Sequence, residues 1–89
     1  MKHIIRCDRA GVHYGTLVSV NGQTVVLANA RRLWFWSGAN TLNEVATEGV
    51  NRRSKMSTPV VEITLLDAIE VIACTEEAEA SLDAARWGV

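Results

Sequence analysis

Two apolar periods run along this chain, one of two residues and one of three to four, and their boundaries fall at glycine, asparagine and proline. From Tyr14 to Val20 and from Gln23 to Ala28, β-branched and aromatic residues accumulate on either side of Asn21-Gly22. That pair suits a type I′ turn, whose two central residues both need positive φ, so the pattern predicts a hairpin over 14–28. Residues 2–7 read as an earlier strand around Ile4 and Ile5, closed by the break at Ala10-Gly11. Further on, Val61, Ile63 and Leu65 alternate with Glu62 and Thr64, the period of a half-buried strand over 60–65. Asp67 permits a turn or a bulge, after which Ala68 to Ala73 repeats the alternation, with Ile69 and Val71 opposed to Glu70 and Ile72.

Helical spacing occurs twice. Thr41-Leu42-Asn43-Glu44 has the form of a capping box, and a helix over 41–48 follows, with Leu42, Val45 and Ala46 on one face and Gly49 as its stop. Thr75 is the N-cap of a second short helix reaching about Ala85, with Glu76 and Glu77 in the first turn, where the helix dipole favours negative charge. Arg31 to Trp36 either continues the hairpin's second arm past a bulge or forms a further strand, whereas Asn51 to Thr58 has no periodicity and reads as an exposed loop before Pro59. Together these elements predict one α+β domain over 1–89, a mainly antiparallel sheet of five or six strands with two short helices.

Size and charge then narrow the function. A chain of 89 residues buries only about 60–65% of the surface it exposes when unfolded, so association between copies is expected. Net charge is −1, which argues against long nucleic acid as a partner, but it is unevenly distributed. Residues 1–60 carry eight basic and three acidic groups, a balance of +5, and residues 61–89 carry seven acidic groups and Arg86, a balance of −6. No apolar stretch approaches the roughly 20 residues of a bilayer span, and Arg6 and Asp8 interrupt the amino terminus before a signal peptide's apolar region forms, so a cytosolic protein without a membrane partner is expected. Cys7 and Cys74 make no C-x-x-C pair and are read as small buried residues.

One cluster stands apart. Arg31-Arg32-Leu33-Trp34-Phe35-Trp36 gathers two of the three tryptophans, the phenylalanine and two arginines. In an extended segment Arg32, Trp34 and Trp36 point one way and Arg31, Leu33 and Phe35 the other. Indole faces stack on bases for about 1–3 kcal/mol each, and guanidinium groups grip phosphate through two parallel hydrogen bonds. The same residues equally suit a core or a subunit contact, where Trp and Arg are common without any ligand. Arg52, Arg53 and Lys55 on the predicted loop are either solvated or a clamp over an anion. His13, at a loop-to-strand junction, is either satisfied by its surroundings or a ligand contact. Glu76, Glu77, Glu79 and Asp83 read as a solvated helix face. No nucleophile with a nearby base and no metal-ligand spacing is visible, so no catalytic group, metal or cofactor is expected.

Three segments carry a resemblance: Ala10-Gly11-Val12-His13 with Gly15, Asn29 through Ala39, and Ala68 through Glu76. Across nearly the whole chain they resemble a group of small proteins encoded by tailed bacteriophages and prophages, most specifically at Asn29-Ala30-Arg31-Arg32 and the aromatics that follow. That resemblance implies a phage origin and the host cytoplasm as the place of action. Small non-enzymatic phage proteins serve as virion or morphogenesis components or as inhibitors of host defence, among them oligomeric sponges for nucleotide signals. The expectation is a homo-oligomeric sponge for a small anionic, cyclic nucleotide. Trp34 or Trp36 would stack the base, Arg31 or Arg32 would pair with phosphate, and Arg52, Arg53 or Lys55 would close over it. The alternative is a structural or interaction module that uses the same strip as its contact.

Overall fold

In the computed structural model, which describes residues 1–85, the chain folds in the order β1 (Lys2–Cys7), β2 (Val12–Asn21), β3 (Thr24–Phe35), α1 (Leu42–Glu48), β4 (Lys55–Met56), β5 (Val60–Leu65), β6 (Ala68–Ala73) and α2 (Glu76–Ala84). Arg86 and Trp87, counted in the composition above, lie outside the described residues. All pairings are antiparallel, and the six strands and two helices give the α+β architecture expected from the pattern. Among the described residues no helix is long and apolar enough to cross a membrane.

The hairpin forms, but its turn lies one residue further on. Asn21 pairs with Thr24, which leaves Gly22 and Gln23 as the loop, and only Gly22 has positive φ, at 61°. A positive φ at the first central position alone fits a type II′ turn, with glycine where that type requires it. The second arm continues as one strand through Arg31 to Phe35, past a bulge at Asn29, whose φ is 50°. Opposite the bulge, a side chain at Gly15 would sit 2.9 Å from the Ala28 carbonyl oxygen, so only glycine lets the two backbones approach there. The segment expected to be all loop contains β4, where Met56 is fully buried opposite Leu33 and anchors the basic stretch to the sheet.

Strand order explains the shape. Along the sheet β5 lies beside β3, then come β2, β1 and β6, yet β5 and β6 are joined by Leu66 and Asp67 alone. Two linking residues span at most roughly 11 Å between flanking Cα atoms, so the sheet's two edges meet at that corner and the sheet curls on itself. Asp8 N–H donates to the Asp67 carbonyl at 2.9 Å, and Ala68 N–H donates to the Gln23 carbonyl at 3.0 Å, which fixes the corner.

Curling divides the core in two. One face is covered by the helices and buries Ile4, Tyr14, Leu33, Val45, Met56 and Leu82 together with smaller residues. The other, inside the curl, buries Ile5, Cys7, Val25, Leu27, Ala30, Leu65 and Ala68 with no helix over it. Both helices begin as the sequence predicts: the Thr41 and Thr75 hydroxyls accept from the Glu44 and Ala78 amides, and Gly49, at φ 86°, ends α1. The carboxylate of Glu44 reaches Asn40 N–H at 3.0 Å, one residue before the position a capping box uses.

Candidate functional site

Alternation along β3 separates the two arginines. Arg31 stands opposite Tyr14 on the helix-covered face, and Arg32 stands opposite His13 on the other. The Arg31 guanidinium donates to the carbonyl oxygens of Ser57 at 2.8 Å, Leu82 at 3.2 Å, Asp83 and Ala85. These last three belong to the final turn of α2, where carbonyls run out of intrahelical donors; Leu82 also accepts the Ala85 N–H at 3.2 Å, and Arg31 supplies the further donors, so it caps α2 and complements its dipole. Its donors are thus engaged by the fold itself, whereas the sequence pattern suggested Arg31 or Arg32 as a partner for phosphate.

Beside it, the Tyr14 hydroxyl donates to Asp83 at 2.9 Å, and the Lys2 ammonium lies 2.7 Å from the same carboxylate. Burial opposes ionisation of Asp83, but the hydrogen bonds from Lys2 and Tyr14 outweigh it and hold this carboxyl below its usual range. The Tyr14 phenol is pushed up by burial and by its bond to Asp83. Asp83, read as a solvated helix residue, is therefore part of the lock between α2 and the sheet.

Arg32 is exposed and donates to the Ala10 carbonyl at 3.2 Å, the same oxygen that His13 Nε2 meets at 2.9 Å. His13 is buried, and its pKa is lowered by burial and by the charge of Arg32, against the Ala10 bond. Together with Ser57, Val60 and Ile63, these two residues line a cleft of about 80 Å³. Pockets that enclose small ligands run to roughly 300–1,000 Å³, so this cleft cannot enclose a nucleotide.

Trp34 shares the side of Arg32 and is 48% exposed, with the Lys55 ammonium 5.5 Å from its ring centre. Arg52 and Arg53 are exposed on the turn before β4, and neither side chain makes a hydrogen bond among the described residues.

Trp36 departs from the predicted alternation. A register shift between Leu33 and Phe35 disturbs the ladder to β4, and β3 ends at Phe35. Released from the strand, Trp36 turns away from Trp34 and packs, half-buried, against the helix-covered core. The strip expected along Arg32, Trp34 and Trp36 is thus split between two faces.

In its new position Trp36 lines a groove of about 370 Å³ between the start of α1 and strands β1, β2 and β6. Val12, Trp36 and Leu42 supply its apolar wall, Thr41 and Asn43 its polar rim, and Arg6 and Glu70 close one end. The Arg6 guanidinium is 3.3 Å from Glu70, both half exposed, and the pair is set by the register that places these residues opposite each other on β1 and β6. Among the described residues no side-chain hydrogen bond engages the Trp36 indole N–H or the Asn43 carboxamide. The groove therefore combines a flat ring, an amide with donor and acceptor, a guanidinium and a carboxylate in ligand-sized space.

Sequence reasoning named Trp36 but missed Arg6, Thr41, Asn43 and Glu70. Arg6 and Glu70 are 64 positions apart, and the available signals marked Thr41 only as a cap and Glu70 only as a polar alternate. Among the described residues no group of three His, Cys, Asp or Glu is placed to hold a metal ion. The two thiols are buried, and burial pushes each up to about 11.

A family model described as a domain of unknown function (DUF6948) matches residues 1–82. No curated protein and no solved structure matches the chain.

Proposed function

This chain belongs to the DUF6948 family, a domain of unknown function, and we propose that it is a non-enzymatic binding protein of tailed-phage origin that sequesters a small anionic nucleotide signal. The observation that carries this reading is the groove that assembles Trp36, Asn43, Arg6 and Glu70 in about 370 Å³. A nucleotide offers a chemical partner to each. Its base stacks on the indole, its ring edge meets the Asn43 amide, its ribose hydroxyls donate to Glu70, and its phosphate exchanges with Glu70 for Arg6. The resemblance to tailed-phage proteins supports an anti-defence setting in the host cytoplasm.

Isothermal titration of the pure protein against cyclic di- and trinucleotides and the isomers of cyclic ADP-ribose tests the proposal. One class is expected to bind and to be recovered chemically unchanged after the protein is denatured. Trp36→Ala is expected to weaken that binding by about tenfold or more, the loss of one stacking contact. Flat traces throughout, or conversion of the ligand, overturn it.

A second reading rests on Trp34 and Phe35, adjacent and each about half exposed at the end of β3. In it the strip of Arg32, Trp34 and Lys55 is a contact with a subunit or partner protein, as Trp and Arg serve at many interfaces. It predicts that Trp34→Ala changes the particle mass or loses a partner while nucleotide titrations stay flat.

A further inference from the structure

We infer that a second copy of this chain pairs with the free edge of β5, antiparallel, across a two-fold axis centred on Ile63. Strand β5 is hydrogen-bonded to β3 along one edge only, and the strand that follows it in sequence crosses to β1. Its outward N–H and C=O groups meet no other backbone among the described residues. Such an edge is a template for another strand, and proteins usually blunt it with bulges, lysines, prolines or short length.

The other free edges are interrupted or short: β6, paired only with β1, carries a register shift in that pairing between Arg6 and Cys7. The overhang of β2 beyond β1 carries a register shift between Leu17 and Ser19, and β4 is two residues long. By contrast, β5 pairs with β3 from Val60 to Leu65 without a register shift, only Val61 lacking a partner there, and contains neither lysine nor proline. It is also apolar where nothing covers it: Val60 is 49% exposed, Val61 86% and Leu66 73%.

A second copy fits this edge because the segment is complementary to itself. With the axis on Ile63, Val60 lies opposite Leu66 of the other copy, Val61 opposite Leu65, and Glu62 opposite Thr64. Each exposed apolar residue thereby gains an apolar cross-strand neighbour, and Glu62 avoids facing Glu62, which would be destabilising. Such a contact is isologous, and it closes at two subunits. Ile69 and Val71 on β6, each nearly half exposed, flank the same corner and add to the surface a partner would cover.

Light scattering of the full chain over a range of concentrations is the test. The wild type is expected at twice 9.7 kDa. Val61→Lys, at a side chain exposed in the single copy, is expected to return the mass to 9.7 kDa without loss of the folded circular dichroism spectrum. Amide exchange supplies a second readout that does not depend on a variant: protection across 61–65 rises with protein concentration, and protection across 69–73 does not. A wild type that stays at the single-chain mass, or a Val61→Lys variant that keeps the doubled mass, overturns the inference. A strand from a different protein on this edge would leave the pure chain single and counts against self-pairing. The β5 edge is separate from the Trp36 groove, so this result stands or falls independently of nucleotide binding.

Discussion

The sheet finishes its two faces by different means. On one, α1 and α2 lie over Ile4, Tyr14, Leu33 and Met56, and each polar group brought inside is answered: Tyr14 and Lys2 by Asp83, Arg31 by the last carbonyls of α2. These contacts tie β1 to the final helix, across 81 positions in the case of Lys2 and Asp83. On the other face no helix is present, and burial comes from the curl that folds β5 and β6 toward each other over Ile5, Val25 and Leu27. The helix-covered face gains a groove at its margin, where Trp36 leaves the strand, and the curled face leaves apolar residues at its rim. A small domain that covers only one side of its sheet therefore places the groove proposed for a ligand and the edge proposed for a second copy on different parts of its surface.

Substitutions can break this contrast in a definite order. Leu82→Ala, at a fully buried position of α2, is expected to cost about 3 to 4 kcal/mol in urea unfolding, since it opens a cavity under the helix. Arg31→Met removes the cap on α2 and leaves several carbonyls unpaired, a loss of about 2 to 3 kcal/mol by the same measurement. Gly15→Ala acts on the curl instead: its methyl group would press on the Ala28 carbonyl and on Ala30, and strain of this kind costs about 1 to 2 kcal/mol.

The curled face also carries a pH dependence, through His13. Burial lowers the pKa of His13 in the folded protein, so the unfolded chain takes up a proton first as pH falls below about 6.5. Stability is then full above that pH and declines below it until the folded pKa is passed, and His13→Gln should flatten the decline. Arg32→Met, which gives up one exposed bond to Ala10, is expected to change stability by less than about 0.5 kcal/mol. An equal cost for Arg31→Met and Arg32→Met would show that the two faces do not divide these arginines into a structural and a surface residue.

How much of this was legible in the sequence depended on distance along the chain. Local chemistry was readable: Thr41 and Thr75 cap their helices, Gly49 stops α1, and the hairpin stands where Asn21-Gly22 marks it. Its turn moved by one residue because Asn21 was taken into the ladder with Thr24, which left Gly22 to supply the positive φ. The opposite orientations of Arg31 and Arg32 followed from strict alternation. Trp36 did not, because a register shift and the end of β3 rotate it onto the helix-covered face, and neither has a marker in the segment itself. The Arg6–Glu70 end of the groove was invisible, since it exists only through the pairing of β1 with the distant β6. The exposure of β5 was equally illegible, because alternation in Val61, Ile63 and Leu65 says that one face is apolar and not what lies against it.

The ligand site proposed above is the Trp36 groove rather than the strip of Arg32, Trp34 and Lys55. Nuclear magnetic resonance reads both at once, through the indole N–H signals of the tryptophans and the backbone amides around them, during titration with the tightest nucleotide of the panel. Binding in the groove predicts saturable shifts at the Trp36 indole and the Leu42 and Asn43 amides, with Arg32, Trp34 and Lys55 unmoved. Shifts confined to Arg32, Trp34 and Lys55, or none at either place, would contradict it.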